Sequence, residues 1–315
     1  MPRIAVVQRA PVFFDRAATL SRALEEVGEA AAGGAQLIVF PEAFIPGYPA
    51  WIWRLRPGAD MSVVDSLYGR LFRNAICIDH GDLEPLCASA KKHGVTVVCG
   101  INERAGELGR STLYNTVVLI GPDGVLLNRH RKLMPTNPER MVWGFGDGSG
   151  LKVVETPCGR IGTLLCWENY MPLARYALFA QGVEIYIAPT YDSGDGWIGT
   201  MRHIAREGRC WVIGAGIAFG ASDIPDTIAE KAALYPNPDE MVNPGDSVVV
   251  APGGALVAGP LHAEQGILYA DIDLDRVGVA RRALDVVGHY ARPDVFELHV
   301  NNRAMSPATV SERSD

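Results

Sequence analysis

The chain has 315 residues, 48% of them hydrophobic and 21% charged, and a formal net charge of −7. This balance suits a globular protein with a sizeable core, and no basic cluster exceeds Arg129-His130-Arg131-Lys132, which disfavours nucleic-acid binding. No apolar stretch is long enough for a membrane span, and the six cysteines form no C-x-x-C pair. The N-terminus runs directly into a strand at Ile4 and leaves no room for a signal peptide, so a reducing, cytoplasmic setting is expected.

In chain order, Ile4–Gln8 reads as a strand. Asp15 can N-cap a helix that carries Leu20, Ala23, Leu24, Val27 and Ala31 on one face and ends near Gly33-Gly34. Gln36–Phe40 is the next strand. Residues 45–65, dense in proline and glycine with three aromatics, read as a long ordered loop near a site. Asp82–His93 reads as a helix and Val95–Ile101 as a strand. Leu113–Ile120 and Val125–His130 flank Gly121-Pro122-Asp123-Gly124, a hairpin turn signal. Leu151–Glu155 and Arg160–Cys166 flank Pro157-Cys158-Gly159 in the same way. A helix over Met171–Gln181 has Gly182 at its C′ position. Val183–Ala188, Cys210–Ala215 and Ile267–Ile272 read as strands, and Trp197–Gly208 as a helix. Ser247–Ala251 and Ala255–Ala258 form a second hairpin. Asp273 opens a last helix, and Val295–Asn301 is strand-like. Strands and helices alternate, but hairpins break the βαβ rhythm, so the expected class is α/β with mixed sheets. The pattern occurs roughly twice. Residues 1–302 are expected to form one domain, followed by a flexible tail over 303–315.

The chemistry centres on Thr163-Leu164-Leu165-Cys166-Trp167-Glu168-Asn169. An apolar run ends in a thiol where a helix is expected to start, so free backbone N–H groups and a nearby cation should favour the thiolate. Phe40-Pro41-Glu42 follows Leu37-Ile38-Val39, and Lys132 follows the strand that begins at Val125. Taken singly, these would be a core thiol, a loop carboxylate and a solvated lysine. Together they supply a nucleophile, a base and a cation, the set required to add to an electrophilic carbon–nitrogen bond.

These segments, Phe40-Pro41-Glu42, Arg129-His130-Arg131-Lys132-Leu133-Met134-Pro135-Thr136 and Leu165-Cys166-Trp167-Glu168-Asn169, resemble the three signatures of the nitrilase, or carbon–nitrogen hydrolase, superfamily. Their order and spacing match, and the likeness runs from about Pro2 to about Glu297. It implies a four-layer α-β-β-α sandwich, with Glu42 as general base, Lys132 as stabiliser of the intermediate and Cys166 as nucleophile. The run from Lys132 to Arg140 with Trp143, and His289-Tyr290-Ala291-Arg292-Pro293-Asp294, are similar to the nitrilase branch. By that likeness Glu139 is a second carboxylate of the site. The alternative is a loop carboxylate paired with Arg140. Trp167 would offer a backbone N–H and a pocket wall, unless its ring simply packs in the core. Tyr48, Trp51, Thr190, Tyr191 and Trp197 are candidates to shape the pocket.

The expected activity is hydrolysis of an organic nitrile to a carboxylic acid and ammonia, with no cofactor. Alternatives are an amidase or carbamoylase using the same residues, a cyanide-hydrolysing enzyme, or a non-catalytic interaction or filament protein. The seven histidines show no metal-ligand spacing, so no metal is expected, which argues against a metal-dependent nitrile hydratase. Gly144-Phe145-Gly146-Asp147-Gly148-Ser149-Gly150 lacks the lysine of a phosphate loop and reads as plain turns. The resemblance also implies homo-oligomers, though this chain stops soon after its last strand-like segment.

Overall fold

The computed structural model describes residues 1–106, 110–306 and 308. The elements are β1 (Arg3–Gln8), α1 (Arg16–Ala32), β2 (Leu37–Val39), α2 (Met61–Asn74), α3 (Glu84–His93), β3 (Thr96–Arg104), β4 (Leu113–Ile120), β5 (Leu126–Arg131), β6 (Val154–Thr156), β7 (Gly159–Thr163), α4 (Pro172–Ala180), β8 (Ile185–Thr190), α5 (Gly194–Gly208), β9 (Trp211–Gly216), β10 (Ala218–Gly220), α6 (Lys231–Leu234), β11 (Met241–Val250), β12 (Leu256–His262), β13 (Gly266–Asp271) and α7 (Asp275–Arg281).

Two mixed sheets result. The first has the order β13-β1-β2-β3-β4-β5. The second runs β10-β11-β9-β8-β7-β6, with β12 added on β11. Each has parallel strands at its centre, β1-β2-β3 in one and β7-β8-β9 in the other, flanked by antiparallel strands. This is the internal repetition expected from the sequence.

Alternation along the strands sets the layers, because successive side chains point to opposite faces. Ile4, Val6, Leu37, Val39, Val117 and Leu119 of the first sheet meet Ile161, Ile185, Ile187, Ile213 and Val249 of the second in one buried cluster. The other face of the first sheet, with Ala5, Val7, Ile38 and Val97, packs on Ala23, Val27 and Ala30 of α1 and Leu86 and Ala90 of α3. The outer face of the second sheet, with Tyr186, Ala188, Val212 and Val248, packs on Leu178 of α4 and Trp197, Met201 and Ile204 of α5. The fold is the α-β-β-α sandwich. Asp15 caps α1 through a 2.9 Å bond from the Ala18 N–H, as its side chain predicts.

Three readings change. The expected loop over 45–65 gives way to a short 3₁₀ turn at Ala50–Arg54, and α2 begins at Met61. Val64, Leu67 and Leu71 bury the inner face of α2, a helical spacing that the Pro- and Gly-rich stretch before it obscures. Val295–Asn301 is not a strand. The chain there runs without ladder partners, and Val295 and Phe296 are exposed. The strand before Cys166 ends at Thr163, and Cys166 opens a 3₁₀ turn rather than an α-helix. Of the expected flexible tail, residues 307 and 309–315 lie outside the described residues. Met305 within it donates its N–H to Asp147 at 2.8 Å.

Candidate active site

Glu42 lies just beyond β2, where the chain crosses the face of β3. Gly100 makes this crossing possible, since a Cβ there would lie 2.2 Å from the Pro41 carbonyl oxygen. Lys132 extends β5 by one residue, its N–H bonding the Asn115 carbonyl at 2.8 Å. The glycine-rich stretch then turns back beside it. Gly146 donates to the Lys132 carbonyl at 2.8 Å and rests against Arg131, where a Cβ would sit 2.1 Å from the carbonyl oxygen. That stretch therefore packs closely against the strand carrying Lys132, and its glycines serve this approach.

Cys166 comes from the second sheet and has φ +46°, a left-handed conformation that costs energy for a residue with a Cβ. Asn169 holds the turn. Its amide donates to the Cys166 carbonyl at 2.7 Å and to the Leu164 carbonyl at 3.2 Å, while Tyr186 donates its hydroxyl to the Asn169 Oδ1 at 2.7 Å. The observed strain thus sits at the residue that carries the thiol.

The four candidate residues meet. Lys132 Nζ donates to Glu42 Oε1 at 2.8 Å and to Glu139 Oε2 at 2.8 Å. Glu42 also accepts from the Asn115 amide at 2.6 Å and the Tyr191 N–H at 2.7 Å. Glu139 accepts from the Tyr48 hydroxyl at 2.6 Å and the Thr136 N–H at 2.7 Å. It makes no pair with Arg140, whose Nε bonds the Pro135 carbonyl. All four side chains are buried.

Burial sets their protonation. Burial, reinforced by the Glu139 charge, raises Glu42 above the ordinary carboxylate range against the pull of Lys132. For Lys132 burial works against the charge, but Glu42, Cys166 and Glu139 outweigh it and hold the ammonium protonated. Burial together with Glu42 and Glu139 pushes the Cys166 thiol well up, despite Lys132 and a hydrogen bond with Thr190. The expected resting thiolate is thus replaced by a resting thiol beside a carboxylate of raised proton affinity.

Above the thiol opens a cavity of about 270 Å³, lined by Tyr48, Trp53, Trp167, Tyr191, Asp192 and Asn243 among others. Tyr48 and Tyr191 stack at 3.9 Å between ring centroids. Trp167 is 45% exposed, which rules out core packing, and its indole donates to Asp192 Oδ2 at 2.9 Å. Among the described residues, no group of three His, Cys, Asp or Glu side chains is placed to hold a metal ion.

The sequence profile of the carbon-nitrogen hydrolases matches residues 3–282. The chain is a carbon–nitrogen hydrolase. This hydrolase is 44% identical over 305 residues to an aliphatic nitrilase of Sinorhizobium fredii, covering 96% of this chain and 97% of that protein. It is 42% identical over 316 residues to a bifunctional nitrilase/nitrile hydratase of Nicotiana tabacum, covering 99% and 89% of the two chains. These relatives put it on the nitrilase branch. A carbon–nitrogen hydrolase structure from Helicobacter pylori shares the fold with a TM-score of 0.71 at 21% identity, over 94% of this chain and 96% of that one.

Of the expected pocket residues in this hydrolase, Tyr48, Trp167 and Tyr191 line the cavity. Thr190 lies behind the wall, bonded to the thiol and to the Asp192 N–H at 2.8 Å. Two expectations fail. Trp51 faces a separate small apolar space with Phe13, Leu67 and Phe219. Trp197 is buried between α5 and the second sheet, where Gly214 leaves room for its indole. The sequence reading missed Trp53, Asn115, Asp192 and Asn243. A visible signal existed for Asn115 alone, an amide within an apolar strand.

Proposed function

We propose that this hydrolase converts an organic nitrile to a carboxylic acid and ammonia through a covalent bond to Cys166. The observation that carries the reading is the Glu42–Lys132–Glu139 cluster beside a buried thiol at the floor of an aromatic-walled cavity. The nitrilase names of its relatives support the substrate class.

The raised proton affinity of Glu42 suits it to take the thiol proton as Cys166 Sγ adds to the nitrile carbon. That proton passes to nitrogen and gives a thioimidate. Water adds next, with Glu42 as base, to form a tetrahedral species whose developing charge faces Lys132. Breaking the C–N bond with a proton from Glu42 releases ammonia and leaves a thioester. A second water hydrolyses the thioester to acid and restores the thiol. Breaking the C–S bond instead would release amide, the second outcome named for the tobacco relative. Glu139 accepts a second bond from Lys132 and moderates the cation's field, which otherwise resists protonation of the departing nitrogen. No step calls on a cofactor.

The cavity volume, near the lower end for small-molecule sites, favours an organic nitrile over cyanide. An amidase or carbamoylase would use the same groups, so a nitrile panel with ammonia, acid and amide all quantified is the deciding assay. Within it, Cys166→Ala should abolish turnover and leave the melting midpoint unchanged. Retained turnover in that variant overturns the reading.

We read residues 1–302 as one catalytic domain acting in the cytoplasm. No helix among the described residues is long and apolar enough to cross a membrane. A homo-oligomer is supported by exposed Tyr170, Met171 and Leu173 at the head of α4. Light scattering behind size exclusion tests it.

A further inference from the structure

Glu168 is fully buried and stands outside the Glu42–Lys132–Glu139 cluster. Its Oε1 accepts from the Leu133 N–H at 2.7 Å and its Oε2 from the Leu165 N–H at 2.7 Å. Leu133 follows Lys132, at the end of the first sheet. Leu165 precedes Cys166, at the end of the second. One carboxylate therefore spans the two sheets and ties the backbone next to the ammonium to the backbone next to the thiol.

His130 completes the clasp from β5, its Nε2 lying 3.1 Å from each Glu168 oxygen. Its other ring nitrogen, Nδ1, is buried without a partner. The tautomer that suits both ends carries its proton on Nε2, donates to Glu168 and leaves no N–H stranded at Nδ1. Backbone donors on a charged acceptor make short, strong bonds, and both oxygens are engaged, so the carboxylate has little freedom. Lys132 has a long stem, and the path of its main chain decides where its ammonium lies relative to Sγ. Misplacement by about 1 Å at a reacting group costs roughly a hundredfold in rate.

We propose that Glu168, oriented by His130, is a positioning residue that sets Lys132 against Cys166 across the sheet interface. The proposal rests on Lys132 and Cys166 having the roles given above. Cys166→Ala in the same assay separates the two claims, because its retained activity would refute those roles and not the clasp alone.

The experiment compares Glu168→Gln, His130→Gln and His130→Leu with the wild-type enzyme on a nitrile substrate. It reads kcat, KM and the amide-to-acid ratio at a temperature where circular dichroism shows each variant folded. Glu168→Gln turns an amide N–H towards a backbone N–H and loses one of the two bridging bonds. Expected is a fall in kcat of at least about tenfold with KM within about threefold, and a smaller share of amide, because a cation that slips from the departing nitrogen resists its protonation less. His130→Gln keeps a donor for Glu168 and should stay close to wild type, whereas His130→Leu should follow Glu168→Gln. Wild-type kcat and product ratio in Glu168→Gln would overturn the proposal, as would a loss that tracks only the folded fraction. Should Glu168→Gln fail to fold, equal kcat in the two His130 variants overturns it instead.

Discussion

Glu42 shares one carboxylate oxygen between Lys132 and Asn115 and gives the other to the Tyr191 N–H, so its orientation is fixed before substrate arrives. Its protonation state should govern the acid side of activity. A base must be ionised to accept the thiol proton, and burial with the Glu139 charge holds Glu42 above its ordinary 4.5. Activity should therefore be lost, as pH falls, at a midpoint above 4.5. Glu139→Gln removes a neighbouring negative charge, so the midpoint should move to lower pH while the rate also falls. The measurement is kcat/KM against pH, which reports the free enzyme. A midpoint that stays or rises in Glu139→Gln would show that the two carboxylates do not communicate. At this scale Glu42, Lys132 and Cys166 were legible, because each follows an apolar run and together they form a chemical set. Asn115 stood out only as an amide within an apolar strand, with nothing to name Glu42 as its target, and the Tyr191 N–H gave no signal, since a backbone donor does not announce its partner in sequence.

Elements were legible where the period is long and capped. Helix α1 ran from Asp15 to Gly33 as read, because a carboxylate cap, a periodic face and a terminal glycine all agree. The 3₁₀ turn Ala50–Arg54 defeats that kind of reading. Within it Trp51 turns to the core and Trp53 to the cavity, and no periodicity separates them. Trp51 and Trp197, expected at the pocket, thus pack elsewhere, while Trp53, for which no role was expected, lines the cavity, and substitution of Trp53 and Trp197 can distinguish the two duties. Trp53 donates to the Tyr48 hydroxyl at 2.9 Å, and Tyr48 in turn donates to Glu139. Trp53→Phe removes that donor at the cavity wall. A bond of this kind is worth about 0.5–1.5 kcal/mol, so roughly a two- to tenfold loss in kcat/KM is expected with little change in melting midpoint. Trp197→Ala should do the reverse. It empties a core site, which costs about 3–5 kcal/mol, and should leave KM unchanged while the protein stays folded. Urea unfolding with steady-state kinetics on both variants checks the assignment. A change of KM in Trp197→Ala, or of stability alone in Trp53→Phe, would reverse it.

Across the whole molecule, the residues of the candidate site are divided between the sheets. Glu42, Lys132 and Glu139 follow strands of the first sheet, Cys166 and Tyr191 follow strands of the second, and Thr190 ends β8. Packing between the sheets is therefore part of the active-site geometry, whereas packing beneath the outer helices is not. The sequence could indicate two βαβ halves but not which faces would meet, because strands buried on both sides are apolar on both. Ile187 of β8 lies in the intersheet cluster, and Ile38 of β2 lies beneath α1 and α3; both are fully buried. Truncating either to alanine should cost about 2–5 kcal/mol, since each leaves a cavity of the same chemistry. Their kinetic effects should differ. Ile187→Ala loosens the layer that holds Cys166 against Lys132, and kcat should fall several-fold more than in Ile38→Ala at matched folded fraction. The spacing between reacting groups decides rate more steeply than stability does. Ile38→Ala should keep near wild-type kcat, its cost confined to an interface that bears no reacting group. Measuring kcat at a temperature well below both melting midpoints, with stability from urea titration, isolates the effect. Equal kcat in the two variants would mean that the sheets hold their register independently of this contact, and that the turns around Cys166 and Lys132 position the site by themselves.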